Sequence, residues 1–386
     1  MKSVDIMESS DKSKKQTGKK KVMIFANNDI WLFKLRKEII VSFLDNGYEV
    51  IISSPKGDFV QKMVDWGCTF YETQVDRRGT NPKQDFKLLV SYIKLINKVK
   101  PDVVLTYTIK PNLYGGLACR LTNTPCINNI TGLGSGFSKS PMLKLFLTTL
   151  YKVSLKKSAC VFFQNTQDME DLTKRKIVQG PTKLIPGSGV NLEEYGMKDF
   201  PKEEDASFIF IGRIMKDKGI DQYLEAAKII KQMHPNTMFR IVGFVEETQS
   251  HYNDLIKNYE DEGIISFLGY QANVKPFIEN AHCIIQASHG GEGLSNVLLE
   301  TAATGRVLIA SNIPGCKETI DEGRNGFIFE KKNTNDLVDK IEKFISLPYI
   351  EKQMYGMYSR KKIENEFNRE IVVSAYLKAV KTIVRG

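Results

Sequence analysis

At 386 residues and 42% hydrophobic composition, the chain exceeds the ~250–300 residues at which a single core stops growing, so two domains are expected. No apolar run reaches the ~18 residues of a spanning helix and the first 21 residues hold no leader-like apolar stretch, which argues against an integral or secreted protein and predicts a cytosolic one. The net charge of +10 is lopsided, with 23 Lys or Arg against 13 acids in residues 22–185 and 25 against 29 in residues 186–386. An anionic surface, either nucleic acid or the cytoplasmic leaflet, would therefore meet the N-terminal half alone.

In chain order, residues 1–20 are lysine-rich without a core-forming pattern and are expected to be a disordered basic tail. Short β-branched runs then alternate with helical-period stretches. The segments "KVMIFAN" (21–27), "YEVIISS" (48–54), "DVVLTYT" (102–108), "PCINNIT" (125–131) and "ACVFFQN" (159–165) predict buried strands, with helices at 32–47 and 85–100 between them. Repeated units of this kind imply a parallel sheet covered on both faces, the first domain, over 21–186. Arg77 and Arg78 fall in a loop, "VDRRGTNP", where they would meet an acceptor's phosphates or be solvated. Residues 140–157 open on Ser-Pro and predict one helix carrying Lys144, Thr148, Lys152 and Lys156 as an i, i+4 stripe. Such a helix either covers a sheet with one wet edge or lies on a membrane surface.

The stretch 187–206 is rich in Gly, Pro and charge and predicts a linker. The alternation restarts at "FIFIGR" (208–213) and continues through 238–244, 265–270, 282–288 and 307–312, a second doubly wound domain over 207–365. The last residues, 366–386, predict a helix that crosses back to the first domain. Two such domains enclose a cleft, and ligands of open α/β sheets bind outside the carboxyl ends of the strands.

Two loops of the second domain carry chemistry. In "FIFIGRIMKDKG" a strand ends at Gly212, Arg213 enters the loop, and Lys218 precedes Gly219 and a helix, which are the parts of an anion site suited to a diphosphate. In "ASHGGEGLSNVLLETAATG" the glycines 290, 291 and 293 allow close backbone approach, and the N–H groups of Gly293, Leu294, Ser295 and Asn296 open a second helix toward the same sheet edge. Glu300 suits a vicinal diol such as ribose, and Glu292 suits sugar hydroxyls.

Glu292 and Glu300 form an E-x7-E pair, and with "GRIMKDKG" they resemble the family 4 retaining glycosyltransferases of the two-domain GT-B fold. "KPNLYGGLACR", "TGLGSGF", "GSGVNLEEY" and "EGLSNVLLE" are similar, more narrowly, to bacterial enzymes that build capsule, O-antigen or lipid-linked oligosaccharides. The resemblance covers nearly everything from Lys21 onward. It implies that Arg213 and Lys218 neutralise a donor diphosphate, that Glu300 holds the ribose, and that Glu292 with the backbone at Gly293–Asn296 holds the donor sugar and phosphates. Gly212, Gly243, His289 and Gly291 complete the expected donor side, with Glu292, Arg213 and Lys218 as the catalytic set. Many family members carry a Gly-Gly turn after the first strand and a histidine in the N-terminal domain. Here "ANNDIW" stands at the first place, and all four histidines (His234, His251, His282 and His289) lie in the C-terminal half. The acceptor-side candidates are then Asn28, Arg77, Arg78, Thr108, Lys110, Asn112, Thr131 and Gly132.

No two aspartates stand two apart, so the D-x-D that grips a divalent ion is missing and no metal or other cofactor is expected. The six cysteines form no C-x-x-C pair and read as buried reduced thiols. The expected partners are a UDP-sugar, a lipid-diphosphate-linked saccharide and an anionic membrane face, placing the protein at the cytoplasmic side of the bilayer. The alternatives are a sugar-nucleotide epimerase or phosphorylase of the same fold, and a basic nucleic-acid-binding protein. The last lacks interleaved aromatic residues in its basic segments and leaves both glutamates unexplained.

Overall fold

The computed structural model describes residues 18–76, 81–132, 141–202, 205–290 and 292–385, and of residues 141–144 the backbone alone. The first seventeen residues of the tail, Arg77, Arg78, Gly291 and the Lys144 side chain lie outside the described residues.

The first sheet contains β1 (Lys21–Phe25), β2 (Glu49–Ser54), β3 (Thr69–Glu72), β4 (Val103–Tyr107), β5 (Cys126–Ile130), β6 (Cys160–Phe163) and β7 (Thr182–Leu184), in the order β3-β2-β1-β4-β5-β6-β7 and parallel throughout. Its helices are α1 (Asp29–Asp45), α2 (Val60–Asp65), α3 (Pro82–Val99), α4 (Gly116–Leu121), α5 (Pro141–Leu155) and α6 (Thr166–Lys174). The second sheet contains β8 (Ser207–Ile214), β9 (Met238–Val245), β10 (Ser266–Phe267), β11 (Cys283–Gln286), β12 (Val307–Ser311) and β13 (Gly326–Phe329), in the order β10-β9-β8-β11-β12-β13, again parallel. With it go α7 (Ile220–Met233), α8 (Tyr252–Asp261), α9 (Lys275–Glu279), α10 (Asn296–Ala303), α11 (Thr334–Ser346) and α12 (Tyr349–Lys362), and α13 (Arg369–Arg385) ends the chain.

The continuous apolar runs are explained by cover on both faces. In β1, Val22 and Ile24 join Ile39, Phe43 and the last helix in one core, whereas Met23 and Phe25 join Leu88 and Tyr92 in another. In β8, Phe208 and Phe210 meet Tyr223 and Phe344, while Ile209 and Ile211 meet Leu298 and Leu299. The last helix belongs to the first sheet: α13 buries Val372, Tyr376 and Val380 against it, and the Tyr376 hydroxyl bonds Asn129 of β5. Where the chain crosses, Val190 N–H donates to the Phe367 carbonyl at 2.9 Å and Arg369 N–H donates to the Val190 carbonyl at 3.0 Å.

Each sheet reverses its strand order once, between β1 and β4 and between β8 and β11, and a ligand site is expected outside the carboxyl ends there. No helix among the described residues is long and apolar enough to cross a membrane. The six cysteines are unpaired, five buried and Cys160 partly so.

Candidate active site

The carboxyl edge of the second sheet is built by backbone constraint. Strand β8 runs past Gly212 to Ile214, so Arg213 lies on the strand, opposite Phe244, and not in the loop that the sequence suggests. Its Nη1 donates to Glu246 Oε2 at 3.1 Å, and the guanidinium stays nearly half exposed. The chain turns through Lys216–Lys218 to Gly219, where φ is 73° and a Cβ would stand 1.9 Å from the Ala287 carbonyl oxygen. Only glycine fits both the left-handed conformation and that approach. It starts α7 directly against the exit of β11 with no side-chain cap, leaving the first N–H groups of the helix without a side-chain acceptor. Gly243 serves the sheet itself, since its Cβ would lie 1.8 Å from the Gly212 carbonyl oxygen.

Beyond β11, Lys218 Nζ is ion-paired with Glu292 Oε1, and Ser288 Oγ donates to the same oxygen at 3.0 Å. The next residues divide between ligand and architecture. A Cβ on Gly293 would sit 2.4 Å from the Thr131 carbonyl oxygen and 2.5 Å from Gln164 Oε1, so this glycine admits the first domain against the loop. Asn165 Nδ2 donates to the Gly293 carbonyl at 3.0 Å across the same contact. The Ser295 N–H, expected to face a phosphate, is taken by the Gly315 carbonyl at 2.8 Å, and its hydroxyl caps α10 on the Leu298 N–H. Leu294 is buried, with its side chain against Gly187. The N–H groups of Asn296 and Val297, in the first turn of α10, lack intrahelical acceptors and remain as donors.

Glu300 stands in the second turn of α10, bonded to Tyr195. Burial pushes its carboxyl up to about 7, and the Tyr195 hydroxyl and the Arg369 guanidinium offset that only in part. His289 donates its backbone N–H to the Asp217 carbonyl at 2.9 Å, and its Nε2 lies 2.7 Å from Gln222 Oε1. Burial, then Lys332, hold its imidazole below the ordinary range, so it is neutral near pH 7 and donates Nε2–H to Gln222.

The first sheet presents Asn28, Thr108, Thr131 and Gly132 at the facing edge, immediately after β1, β4 and β5. Asn28 caps α1 on the Trp31 N–H at 3.2 Å. Thr108 adopts φ 72°, a left-handed conformation that is strained for a β-branched residue, and its buried Oγ1 has no partner among the described residues. Lys110 and Asn112 are engaged within the first domain. Lys110 Nζ is paired with Asp85 Oδ1 at 2.6 Å. Asn112, 1% exposed, accepts from Thr106 Oγ1 at 2.6 Å and donates to the Asn129 carbonyl at 2.7 Å, stitching β4 to β5. Their place in the "TYTIKPN" segment beside the strand exit suggested the cleft, but Asn112 is buried in a π-helical turn over Pro111–Gly115, of which Lys110 is the N-cap. Glu246, Ser288, Tyr195 and Asn165 escaped the sequence reading. Of these only Ser288 carried a signal, its place beside the glycine loop.

The carboxyl edge of the second sheet therefore carries two cations, two carboxylates, the uncapped start of α7 and the free Asn296 and Val297 N–H groups of the capped α10. Cations beside helix starts suit an anion, and carboxylates suit hydroxyl groups. Residues 21–165 match the family model "Glycosyl transferase 4-like" and residues 193–362 match "Glycosyl transferases group 1". The chain belongs to this family of GT-B glycosyltransferases. It is 22% identical, over 92% of its length and 96% of the relative's, to the N,N'-diacetylbacillosaminyl-diphospho-undecaprenol alpha-1,3-N-acetylgalactosaminyltransferase of Campylobacter jejuni. It is 27% identical, over 74% of its length and 76% of the relative's, to the UDP-Gal:alpha-D-GlcNAc-diphosphoundecaprenol alpha-1,3-galactosyltransferase of Escherichia coli. The crystal structure of Anabaena HepE in complex with UDP and glucose superposes with a TM-score of 0.76 at 14% identity, over 94% of this chain and all of that one.

Proposed function

We propose that this glycosyltransferase moves a hexose or N-acetylhexosamine from a UDP-sugar to a lipid-diphosphate-linked saccharide, with retention at the anomeric carbon and without a metal. The observation that carries the reading is the Lys218–Glu292 ion pair next to the uncapped start of α7, at the carboxyl end of the strand that bears Arg213. In the reaction, the bond from the sugar's C1 to the diphosphate oxygen breaks and a bond from C1 to an acceptor hydroxyl oxygen forms. The hydroxyl proton passes to the leaving diphosphate. The chain needs no nucleophile of its own for this; it orients the donor and neutralises charge as the diphosphate departs. Both cations already hold carboxylates, so the diphosphate competes for Lys218 with Glu292 and for Arg213 with Glu246. Glu300, with two hydroxyl-accepting oxygens, suits the ribose.

The names of the two relatives, each built on a diphospho-undecaprenol saccharide, support the acceptor class. For the membrane, support comes from α5: Leu145 and Phe146 are exposed, as are Lys152 and Lys156, while Tyr151 and Leu155 anchor the opposite face. Lys156 stands just past the helix end at Leu155 and not on the helix. An apolar pair flanked by lysines suits an anionic leaflet.

The test begins with a thermal-shift panel of UDP, GDP, ADP and CMP. UDP at a hundred times its dissociation constant is expected to stabilise the protein by about 2.7 kcal/mol. Preference for another nucleotide, or turnover of a UDP-sugar with no acceptor, overturns the reading in favour of a different donor or an epimerase. Transfer is expected to survive excess EDTA, and the protein is expected to sediment with anionic but not neutral vesicles at low salt.

A further inference from the structure

The loop between β11 and α10 contains a buried hydrogen-bond chain that the donor reading does not use. Gln286, the last residue of β11, donates from Nε2 to Ser288 Oγ at 2.7 Å, and Ser288 Oγ donates to Glu292 Oε1 at 3.0 Å. Ser311, the last residue of β12, donates its hydroxyl to the Ser288 carbonyl and holds the backbone of the same residue. Ser288 and Ser311 are fully buried and Gln286 is 6% exposed. A hydroxyl has one proton to give. A carboxylate only accepts, so the Ser288 proton must go to Glu292, and Gln286 must then present its amide nitrogen to the lone pairs of Ser288. The chain runs in one direction and ends on one atom.

That atom is Oε1, which also receives Lys218. Oε2 has no hydrogen-bond partner among the described residues. We infer that Ser288, held by Gln286 and Ser311, is a positioning residue that pins Oε1 of Glu292 and thereby presents Oε2, an acceptor and never a donor, to a single hydroxyl of the transferred sugar. The inference rests on the donor reading above and adds how the sugar is read. Ser288 is sealed from the diphosphate, so its bond holds Oε1 even when Lys218 is drawn to the donor, and Oε2 is the oxygen left for the sugar. The role asked of Ser288 is orientation, because its hydroxyl is sealed from the cleft.

The same geometry dictates what Glu292→Gln does. Lys218 and Ser288 both donate, so the amide oxygen takes the Oε1 place and the NH2 group takes the Oε2 place, replacing an acceptor with a donor where the sugar hydroxyl arrives.

The test compares Ser288→Ala, Ser288→Thr and Glu292→Gln in the full chain. Loss of a hydrogen bond to a charged group corresponds to roughly 10- to 100-fold, so Ser288→Ala is expected to lower kcat by about 10-fold or more while UDP affinity stays within about twofold. Ser288→Thr, which keeps the hydroxyl, is expected to recover most of the rate. In the Glu292→Gln background, Ser288→Ala is expected to add less than about threefold, because the atom it positioned has changed character. With a series of deoxy UDP-sugars, the wild-type to Ser288→Ala rate ratio is expected to fall to about one for the analogue lacking the hydroxyl that Oε2 accepts. An unchanged kcat, a matching loss of UDP affinity, fully multiplicative effects in the double variant, or an equal ratio for every deoxy donor would each overturn the proposal. If the wild-type protein itself neither binds UDP nor transfers sugar, the donor reading fails instead, and the two failures are distinct.

Discussion

The two strand edges that face each other across the cleft use polar side chains in opposite ways. At the edge of the first sheet, Thr106, Asn112, Asn128, Asn129, Ser158 and Tyr376 bond one another and nearby carbonyls inside the domain, with every member of the set buried. At the edge of the second, Arg213 is exposed, Lys218 and Glu292 are partly covered, and each cation is paired with a carboxylate. A saturated network fixes strands and resists change, whereas exchangeable pairs leave charge available. Motif-like sequence therefore has two meanings here: "TYTIKPN" ties strands together and "MKDKG" holds its charge in an ion pair.

Substitutions can sharpen this division, beginning with the largest effect. Gly219→Ala forces a Cβ to within 1.9 Å of a backbone carbonyl oxygen at positive φ, so α7 and Lys218 must shift together. Stability is expected to fall by more than about 3 kcal/mol with loss of transfer, as chemical denaturation and activity assays will show. A stable, active variant would mean that the edge tolerates movement. Lys218→Ala belongs purely to the chemical side. It is expected to lower kcat on the order of 100-fold, as for one lost electrostatic donor, with the fold intact. Asn112→Ala is its counterpart on the scaffold side, expected to destabilise by about 2 kcal/mol while leaving UDP affinity unchanged. If Asn112→Ala damages UDP binding as severely as Lys218→Ala damages turnover, the contrast between the edges is wrong.

The last effect is a pH dependence. Glu300 titrates near 7 in the folded protein, above its ordinary value of 4.5, so the folded state binds the extra proton and stability declines as pH rises from 4.5 to 7. Glu300→Gln is then expected to raise stability by up to about 3 kcal/mol at pH 8, to leave it unchanged at pH 4, and to weaken UDP binding. Ribose hydroxyls favour the ionised carboxylate, so wild-type affinity for UDP is expected to improve through pH 7 and then level off. A variant equally stable at both pH values would place Glu300 outside the low-dielectric setting that this assigns to it.

The architecture was legible because buried parallel strands announce themselves as continuous β-branched runs between helix-length segments. The short edge strands β3, β7 and β13 were not: "TFYE" and "TKL" alternate with charge and lie at or near a margin, and "GFIF" follows a turn that breaks any longer period. Strand β10 keeps only Ser266 and Phe267 of the run 265–270. In the site, Arg213, Lys218, Glu292 and Glu300 could be found from glycines, helix starts and charge close in sequence. Glu246 and Tyr195 could not, since each reaches the site from a distant segment with no local pattern. Gly293 was found for the wrong reason. A glycine marks close approach without saying what approaches, and here it is the Thr131 carbonyl of the other domain.

The last helix has a consequence for how the molecule is made. Val372, Tyr376 and Val380 complete the core around β1, the first strand of the chain. During synthesis the first domain therefore leaves the ribosome with one flank of its core uncovered, and it stays so while the whole second domain is translated and can fold as a unit. Its final packing waits for α13, which follows the second domain in the chain, so a nascent chain truncated before Val372 would display that apolar flank to chaperones.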